Sequence, residues 1–335
     1  MGVVVNRQVT LAARPVGEPR EADFAFAEAP VPEVEDGEVL VRTCWISLDP
    51  YQRGRMSAAR SYAAPVELGE VITGEAVGEV VESRTPKHRP GELVVGPFGW
   101  QEWATARPGA LRRVGEGAPP STSLHVLGMT GLTAYFGLFD VARPRPGDTV
   151  VVSAAAGAVG QIAGQLARLA GCRTVGLASA GKLEELTESY GYDAAIDYRR
   201  GDLGEALKEA CPRGVDVYFD NVGGAVSDAV FRRLAIGARV AVCGLISQYN
   251  LAEPELAPRN LGFLIVNRVR MEGFLVTDYR DRFGEGLGRL ASWVREGRLR
   301  YREDVVEGLE NAPRAFIGLM RGENRGKLLV KVAGE

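Results

Sequence analysis

Residues 149–171 read TVVVSAAAGAVGQIAGQLARLAG, and this stretch decides the fold. It carries no charge from Thr149 to Ala167, so a membrane span is the first reading to weigh. Gly157, Gly160, Gly164, Gln161 and Gln165 interrupt it, and its period changes half-way, from a continuous apolar run to helical spacing. A buried strand, a tight turn and a helix fit that change better than a lipid-facing helix does. Gly171 is a natural stop for the helix, because glycine enters the left-handed region at no steric cost.

Downstream the same unit recurs. RTVGLAS is followed by KLEELTESYG, AAIDY by a helix through Lys208, and VDVYFDNVG by the helix VSDAVFRRLA and the strand ARVAVCGLI. Strand-helix alternation of this length predicts an α/β, doubly wound parallel sheet. Upstream, GLTAYFGLFDVA reads as a helix leading into the turn Arg143–Asp148. Before about residue 120, Gly and Pro punctuate short apolar runs such as EVLVRTCWISL, AVGEVVES and GELVVGPF, a mostly β region able to close as a barrel. Short strands return from about Arg300 and end in GKLLVKV. The predicted organisation is a β-rich domain of residues 1–125 and 300–335, interrupted by a nucleotide domain of residues 126–299.

Composition bounds the function. The chain has 335 residues, enough for two domains, with 46% hydrophobic and 25% charged residues and a net charge of −3. Neither nucleic acid nor an acidic membrane is favoured as a partner. The N-terminus, MGVVVNRQVTLAARP, places Arg7 inside an alternating strand pattern and does not read as a signal peptide. Cys44, Cys172, Cys211 and Cys243 are scattered without CxxC spacing, which argues against a disulfide framework or a structural zinc and for a reduced, cytoplasmic protein. A histidine-ligated metal centre would have to use both His88 and His125, which are not locally paired.

The turn after the strand has its own chemistry. Against GxGxxG, Ala155 takes the first glycine place while Gly157 and Gly160 keep the other two. Gly157 lets the main chain approach a pyrophosphate, and Gly160 lets the helix sit close on the strand. The helix start offers N–H groups and a partial positive charge to phosphates. A ligand-free tight turn uses the same glycines, but the repeated strand-helix units favour a dinucleotide site. An NAD site usually ends its second strand in Asp or Glu, to bind the ribose hydroxyls. Here that strand ends Ala178-Ser179-Ala180-Gly181-Lys182, with no acid and a cation just beyond. Ser179 and Lys182 suit a 2′-phosphate, hence NADPH/NADP+; Lys182 as an exposed helix-start lysine is the plain alternative.

The stretches LDPYQRGRM (48–56), MTGLTAYFGL (129–138), AAGAVGQIAGQLA (155–167), VYFDNVGG (217–224), CGLISQYN (243–250), MEGFLV (271–276) and ENRGKLLVKV (323–332) span nearly the whole chain. Together they resemble the zinc-free medium-chain dehydrogenases/reductases that include prostaglandin reductases, alkenal double-bond reductases and bacterial curcumin reductase. The resemblance implies a Rossmann nucleotide domain, a GroES-like barrel catalytic domain, a homodimer and NADP binding. It gives Ala155, Gly157, Val159, Gly160, Ser179, Lys182, Tyr198, Asn221, Cys243, Gly244, Phe274, Val276 and Asn324 as cofactor-binding positions. Lys182 and Tyr198 would meet the adenosine phosphate, Asn221 the ribose, and Asn324 would lie near the cofactor. Tyr249 is implied as the catalytic residue, over the nicotinamide and within reach of a substrate carbonyl. Tyr51 and Arg53 are candidates for the substrate pocket; a structural ion pair is the competing role for Arg53.

Zinc-dependent relatives carry a Cys after the strand matching VRTCWIS and a His in Gly-His-Glu. Here LDPY and Gly74-Glu75 stand in those places, and Cys44 lies inside the strand. No metal is expected, so the predicted chemistry needs only hydride delivery and a hydrogen-bond donor. That suits reduction of the C=C bond of α,β-unsaturated aldehydes and ketones, the enolate oxygen stabilised by Tyr249 and a cofactor ribose hydroxyl. An NADPH quinone oxidoreductase is the alternative enzyme, and a non-catalytic NADPH-binding sensor the alternative of another class.

Overall fold

Two units divide the chain: Met1–Leu124 with Glu303–Glu335, and His125–Arg302. The computed structural model describes residues 4–259 and 261–332.

In the first unit the strands are β1 (Val5–Leu11), β2 (Phe24–Pro30), β3 (Val39–Ser47), β4 (Ala76–Ser83), β5 (Leu93–Gly96), β6 (Trp103–Ala106) and β7 (Arg112–Arg113). The second unit supplies β8 (Thr149–Ser153), β9 (Arg173–Ala178), β10 (Ala194–Asp197), β11 (Val215–Asp220), β12 (Leu234–Val242) and β13 (Arg270–Gly273). The first unit then resumes with β14 (Glu303–Glu307) and β15 (Lys327–Lys331).

The β unit is built around β3. On one side it pairs with β4 along nearly its whole length; on the other, its first half pairs with β6 and its second half with β15. Two register shifts against β4, at Leu40/Val41 and Thr43/Trp45, let the strand bend between these partners. The sheet runs β14-β15-β3-β4-β5-β7, antiparallel except for β14 with β15, and β1 and β2 form a separate hairpin. Helix α1 (Tyr51–Arg55) follows β3 directly. Phe24 stacks on Trp100 with centroids 5.8 Å apart, and Phe316, from the C-terminal helix of the unit, meets Trp100 edge-on at 5.6 Å. These three rings anchor the core.

In the nucleotide unit six parallel strands stand in the order β10-β9-β8-β11-β12-β13. Parallel strands are covered on both faces, which is why TVVVS and VDVYFD are apolar without alternation. One face packs α2 (Met129–Phe136), α3 (Gly160–Leu169) and α7 (Phe283–Arg295) through Leu132, Phe136, Ile162, Leu166 and Leu290. The other packs α4 (Leu203–Ala210) and α5 (Gly224–Phe231) through Leu207, Ala229 and Val230. Each such fully buried Leu or Phe contributes roughly 1.5–3 kcal/mol. Helix α6 (Gly262–Val266) precedes β13, and α8 (Ala312–Arg321) is the helix that carries Phe316.

Two expected helices differ in detail. GLTAYFGLFDVA is α-helical only to Phe136 and widens into a π-helical turn over Gly137–Ala142, closed by Arg143 at φ 51°. A Cβ on Gly137 would lie 2.3 Å from the Phe274 ring, so the bare glycine makes room for that ring. KLEELTESYG likewise forms a short 3-10 turn at Ala180–Lys182 and a π-helical turn at Glu185–Ser189. Beneath α2 and its continuation, Tyr135, Phe139 and Trp293 form an aromatic group with centroids 5.2–6.5 Å apart.

Candidate active site

The strand order reverses between β8 and β11, the point at which ligands of such sheets bind beyond the carboxyl ends. At the end of β8 the chain turns sharply. The left-handed residue of the turn is Ala154, at φ 48°, one position before the residue that the glycine pattern singles out. Ala155 instead donates its N–H to Leu177 O and packs its methyl against Gly176 of β9.

The glycines then do what their spacing requires. A Cβ on Gly160 would stand 2.3 Å from Ala154 O and 2.7 Å from Ala155 Cα, so α3 starts in contact with the strand's main chain. A Cβ on Gly157 would meet only Ala154 O, at 3.1 Å, and otherwise point into open space. A group approaching the start of α3 therefore finds main chain and no side chain at Gly157. That cradle fits a pyrophosphate, with Val159 at the N-cap and ten residues of helix dipole behind it.

Three features that hold α3 in place carry no sequence motif. Tyr192 lies across the helix, its hydroxyl donating to Gly160 O at 2.8 Å, and a Cβ on Gly164 would be 2.0 Å from its ring. The buried Gln161 and Gln165, read above only as breaks in an apolar run, clamp the main chain of the returning segment. Their amide oxygens accept from Arg302 N and Arg300 N, both at 2.8 Å, and Gln165 Nε2 donates to Arg300 O at 2.7 Å.

At the end of β11 the buried Asp220 caps the turn into α5. Its Oδ1 accepts from Val222 N, Gly223 N and the Tyr218 hydroxyl at 2.9–3.0 Å, and its Oδ2 from the Ser227 hydroxyl at 2.6 Å. Ser153, closing β8, accepts from Asn221 N at 2.9 Å and bonds Asp220 at 3.2 Å. Asn221 Nδ2 donates to Ser153 O at 2.7 Å. The two strand ends at the switch point are thus stitched together, and Asn221 keeps its Oδ1 as an acceptor.

Beyond β12, Cys243 N and Gly244 N both donate to Asp220 O, at 2.8 and 3.1 Å. Burial pushes the Cys243 thiol up to about 12, so it remains a neutral thiol. The chain then folds back over the 221–224 turn. Ser247 Oγ donates to Val222 O at 2.6 Å, and the Tyr249 hydroxyl accepts the Leu245 N–H at 3.3 Å. A Cβ on Gly244 would be 3.5 Å from both that hydroxyl and Asn221 O, so Tyr249, Gly244 and Asn221 form one group. Burial raises the Tyr249 pKa, more than the Leu245 N–H lowers it, and the phenol stays protonated.

At the other side of the sheet, Ala178 ends β9 beside Asp197 of β10, and Tyr198 N donates to Ala178 O at 3.3 Å. This brings Tyr198 to the Ser179–Lys182 turn, whose own sequence contains no Asp or Glu. The Phe274 ring faces the core, edge-on to Phe219 at 6.4 Å, and Val276 is half-buried against the same core. The glycine cradle, the acid-free end of β9 and the Asn221 acceptor together fit a dinucleotide bearing a 2′-phosphate.

The remaining candidates belong to the β unit. Arg53 is buried and donates to the main-chain oxygens of Pro15 and Gly17 at 3.0 and 2.9 Å, in place of an ion pair among the described residues. Asn324 Nδ2 donates to Gly326 O at 2.7 Å. Tyr51 is half-buried beside Asp49 and Glu75, and burial followed by those two charges raises its pKa. Asp49 accepts from the fully buried Lys327 ammonium at 2.6 Å, and from Ser47 Oγ. Lys327 also donates to Leu48 O at 2.7 Å, and Gln52 bridges Asp49 N, Ser47 O and Thr73 O. Burial, then Asp49, pushes Glu75 up to about 7.

A family model described as the N-terminal domain of oxidoreductase matches residues 7–114, and one described as zinc-binding dehydrogenase matches residues 158–292. The NADPH-dependent curcumin reductase of Escherichia coli is 44% identical over 98% of each chain. The chain belongs to the medium-chain dehydrogenase/reductase family of oxidoreductases. The NADP(+)-dependent 2-alkenal reductase of Nicotiana tabacum is 42% identical to this oxidoreductase over 99% of each chain. The crystal structure of CurA in complex with NADPH from Vibrio vulnificus superposes with a TM-score of 0.95 at 43% identity, covering 98% of this chain and all of that one. Although one family description names zinc, no three His, Cys, Asp or Glu side chains of the oxidoreductase are grouped as metal ligands among the described residues.

Proposed function

We propose that this oxidoreductase uses NADPH to reduce the C=C bond of α,β-unsaturated aldehydes and ketones. The observation that carries the reading is the Tyr249 hydroxyl. It is kept protonated by burial, it accepts from Leu245 N–H, and its own proton is left for a further acceptor beside Gly244 and Asn221. The likeness to an NADPH-dependent curcumin reductase and an NADP(+)-dependent 2-alkenal reductase supports the same chemistry.

Gly157 and Gly160 would admit the pyrophosphate, Ser179, Lys182 and Tyr198 the 2′-phosphate, and Asn221 Oδ1 a ribose hydroxyl. Cys243, Gly244, Phe274 and Val276 would contribute chiefly main chain. When bound, reduced nicotinamide supplies a hydride. In a conjugated carbonyl the acceptor is the β carbon, and charge collects on the carbonyl oxygen as an enolate. Tyr249 donates a hydrogen bond to that oxygen, which stabilises the transition state more than the ground state. Solvent returns a proton to the α carbon.

The test is product analysis with C4-deuterated NADPH and a panel of enals, enones and quinones. Deuterium should appear on the β carbon with the carbonyl intact. Deuterium on the carbonyl carbon, or turnover of quinones alone, overturns the reading. Tyr249→Phe, which removes this one oxyanion donor, should lower kcat by about 10²–10³-fold while NADPH affinity is kept.

We infer a homodimer through β13. This strand is the outer edge of the six-stranded sheet, and α6 before it exposes Ile265 at 82% and Val266 at 71%. An open edge beside apolar side chains favours pairing with a second copy across a two-fold axis. Light scattering at micromolar concentration should give twice the chain mass. A cytoplasmic location is supported by four cysteines that are all free thiols.

A further inference from the structure

Arg199 and Arg200 follow Tyr198 at the end of β10, and the function above uses neither. Arg199 has an unusual placement for an exposed arginine. Its Nε donates to the Tyr198 hydroxyl at 3.0 Å, and its guanidinium carbon lies 5.3 Å from the centroid of the same ring. Some other exposed arginines are paired with carboxylates, among them Arg282 with Asp140 and Glu285, Arg321 with Glu18 and Arg113 with Glu92. Among the described residues no carboxylate pairs with Arg199. Asp197, two residues earlier, accepts the Arg199 main-chain N–H at 3.0 Å. The guanidinium is therefore ordered by an uncharged partner and keeps its charge for something else.

Position says what that is. Asp197 pairs with Ala178 in register, and Tyr198 N bonds Ala178 O, so Arg199 leaves the sheet next to the acid-free Ser179–Lys182 turn. The Tyr198 hydroxyl, accepting from Arg199, has its proton left to donate. The Nη1 and Nη2 groups of Arg199 present the planar fork that matches two oxygens of a phosphate.

We propose that Arg199 is a specificity-determining residue, which with Tyr198 reads the 2′-phosphate of the cofactor as one pre-ordered unit. The proposal rests on the reading that this strand end meets a 2′-phosphate. Arg199 supplies a delocalised charge already held on the tyrosine, so little side-chain entropy is lost on binding. Lys182, on the neighbouring turn, supplies a point charge. Arg200 adds to the field, and Asp197 opposes it.

The experiment is titration calorimetry on the full-length protein with adenosine 2′,5′-bisphosphate and with AMP as probes. Arg199→Ala should weaken the bisphosphate about 5- to 10-fold and AMP by less than about 2-fold. Arg199→Lys should recover only part of the loss, since it restores charge without the fork. In a Tyr198→Phe background the loss from Arg199→Ala should shrink, because the two act together. Equal losses for both probes would assign Arg199 to the adenine and overturn the proposal. No loss in Arg199→Ala, with discrimination lost in Lys182→Ala, overturns it while leaving the phosphate at this edge. Discrimination kept in Arg199→Ala, Lys182→Ala and Tyr198→Phe alike overturns the underlying reading as well.

Discussion

In the nucleotide unit the crowded point is Gly160, where the start of α3 touches the main chain of the preceding turn; in the β unit it is Lys327, whose ammonium sits fully buried against Asp49 and Leu48 O. The first is made of backbone, from residues 154 to 160. The second is made of side chains, from partners 278 residues apart. A backbone cradle needs residues that are missing something, so it leaves glycines at fixed spacing. A charge cluster needs complementary groups brought together by the whole fold, so it leaves no local mark.

That contrast can be broken or sharpened by substitution. Lys327→Met should have the largest effect, because it strands the Asp49 carboxylate in the interior. A loss of about 3–5 kcal/mol is expected in chemical denaturation. Adding Asp49→Asn should recover much of it. A single-variant cost under about 1 kcal/mol would mean that the cluster does not hold the β unit together.

Gly160→Ala comes next. Alanine is normally the better helix former by about 1 kcal/mol, so the sign discriminates. Here the new methyl meets main-chain atoms at 2.3 and 2.7 Å, and a net loss of about 2–3 kcal/mol is expected, with NADPH binding lost. Thermal unfolding and cofactor titration read both. A stabilised variant with full affinity would show that the close approach is not needed.

Glu75 tests the β unit through pH. Its carboxyl is pushed up to about 7 in the folded protein, first by burial and then by Asp49. Between about pH 4.5 and 7 the unfolded chain loses this proton while the folded one keeps it, so the group's contribution to stability falls as pH rises through that window. Glu75→Gln should therefore be close to neutral at pH 5 and stabilise by about 1–2 kcal/mol at pH 8, after allowing for solvent screening at a half-buried site. Equal stabilities of variant and parent at pH 8 would remove the buried-charge explanation.

The smallest effect is expected at Ala154, left-handed at φ 48° with no glycine to relieve it. Ala154→Gly should stabilise by about 0.5–1 kcal/mol and leave cofactor affinity unchanged. Destabilisation would mean that the alanine methyl is needed at the turn.

What was legible follows the same division. The doubly wound sheet could be read from apolar runs alternating with helical spacing, because covering both faces of a parallel sheet imposes that pattern. Gly160 could be read because only a missing Cβ allows its close approach to the preceding turn, whereas Gly157 faces open space. Ala154 could not, since nothing in an alanine signals a left-handed backbone. Tyr192 was hidden because its target is a glycine carbonyl, and Gln161 and Gln165 because a buried amide that bonds main chain looks in sequence like any polar break. Lys327 opens an ordinary alternating strand, and only the arrival of Asp49 explains how its charge is tolerated.

The aromatic group of Tyr135, Phe139 and Trp293 has an optical consequence. Of the four tryptophans, Trp45, Trp100 and Trp103 belong to the β unit and Trp293 alone to the nucleotide unit. Exciting indole in a chain whose other three tryptophans are replaced by phenylalanine would make emission come from one unit only. Its spectrum would follow the melting of the cofactor-binding half inside the intact polypeptide, whereas the parent's emission mixes both halves. The sequence thus contains a built-in means of watching the two bodies lose their structure separately.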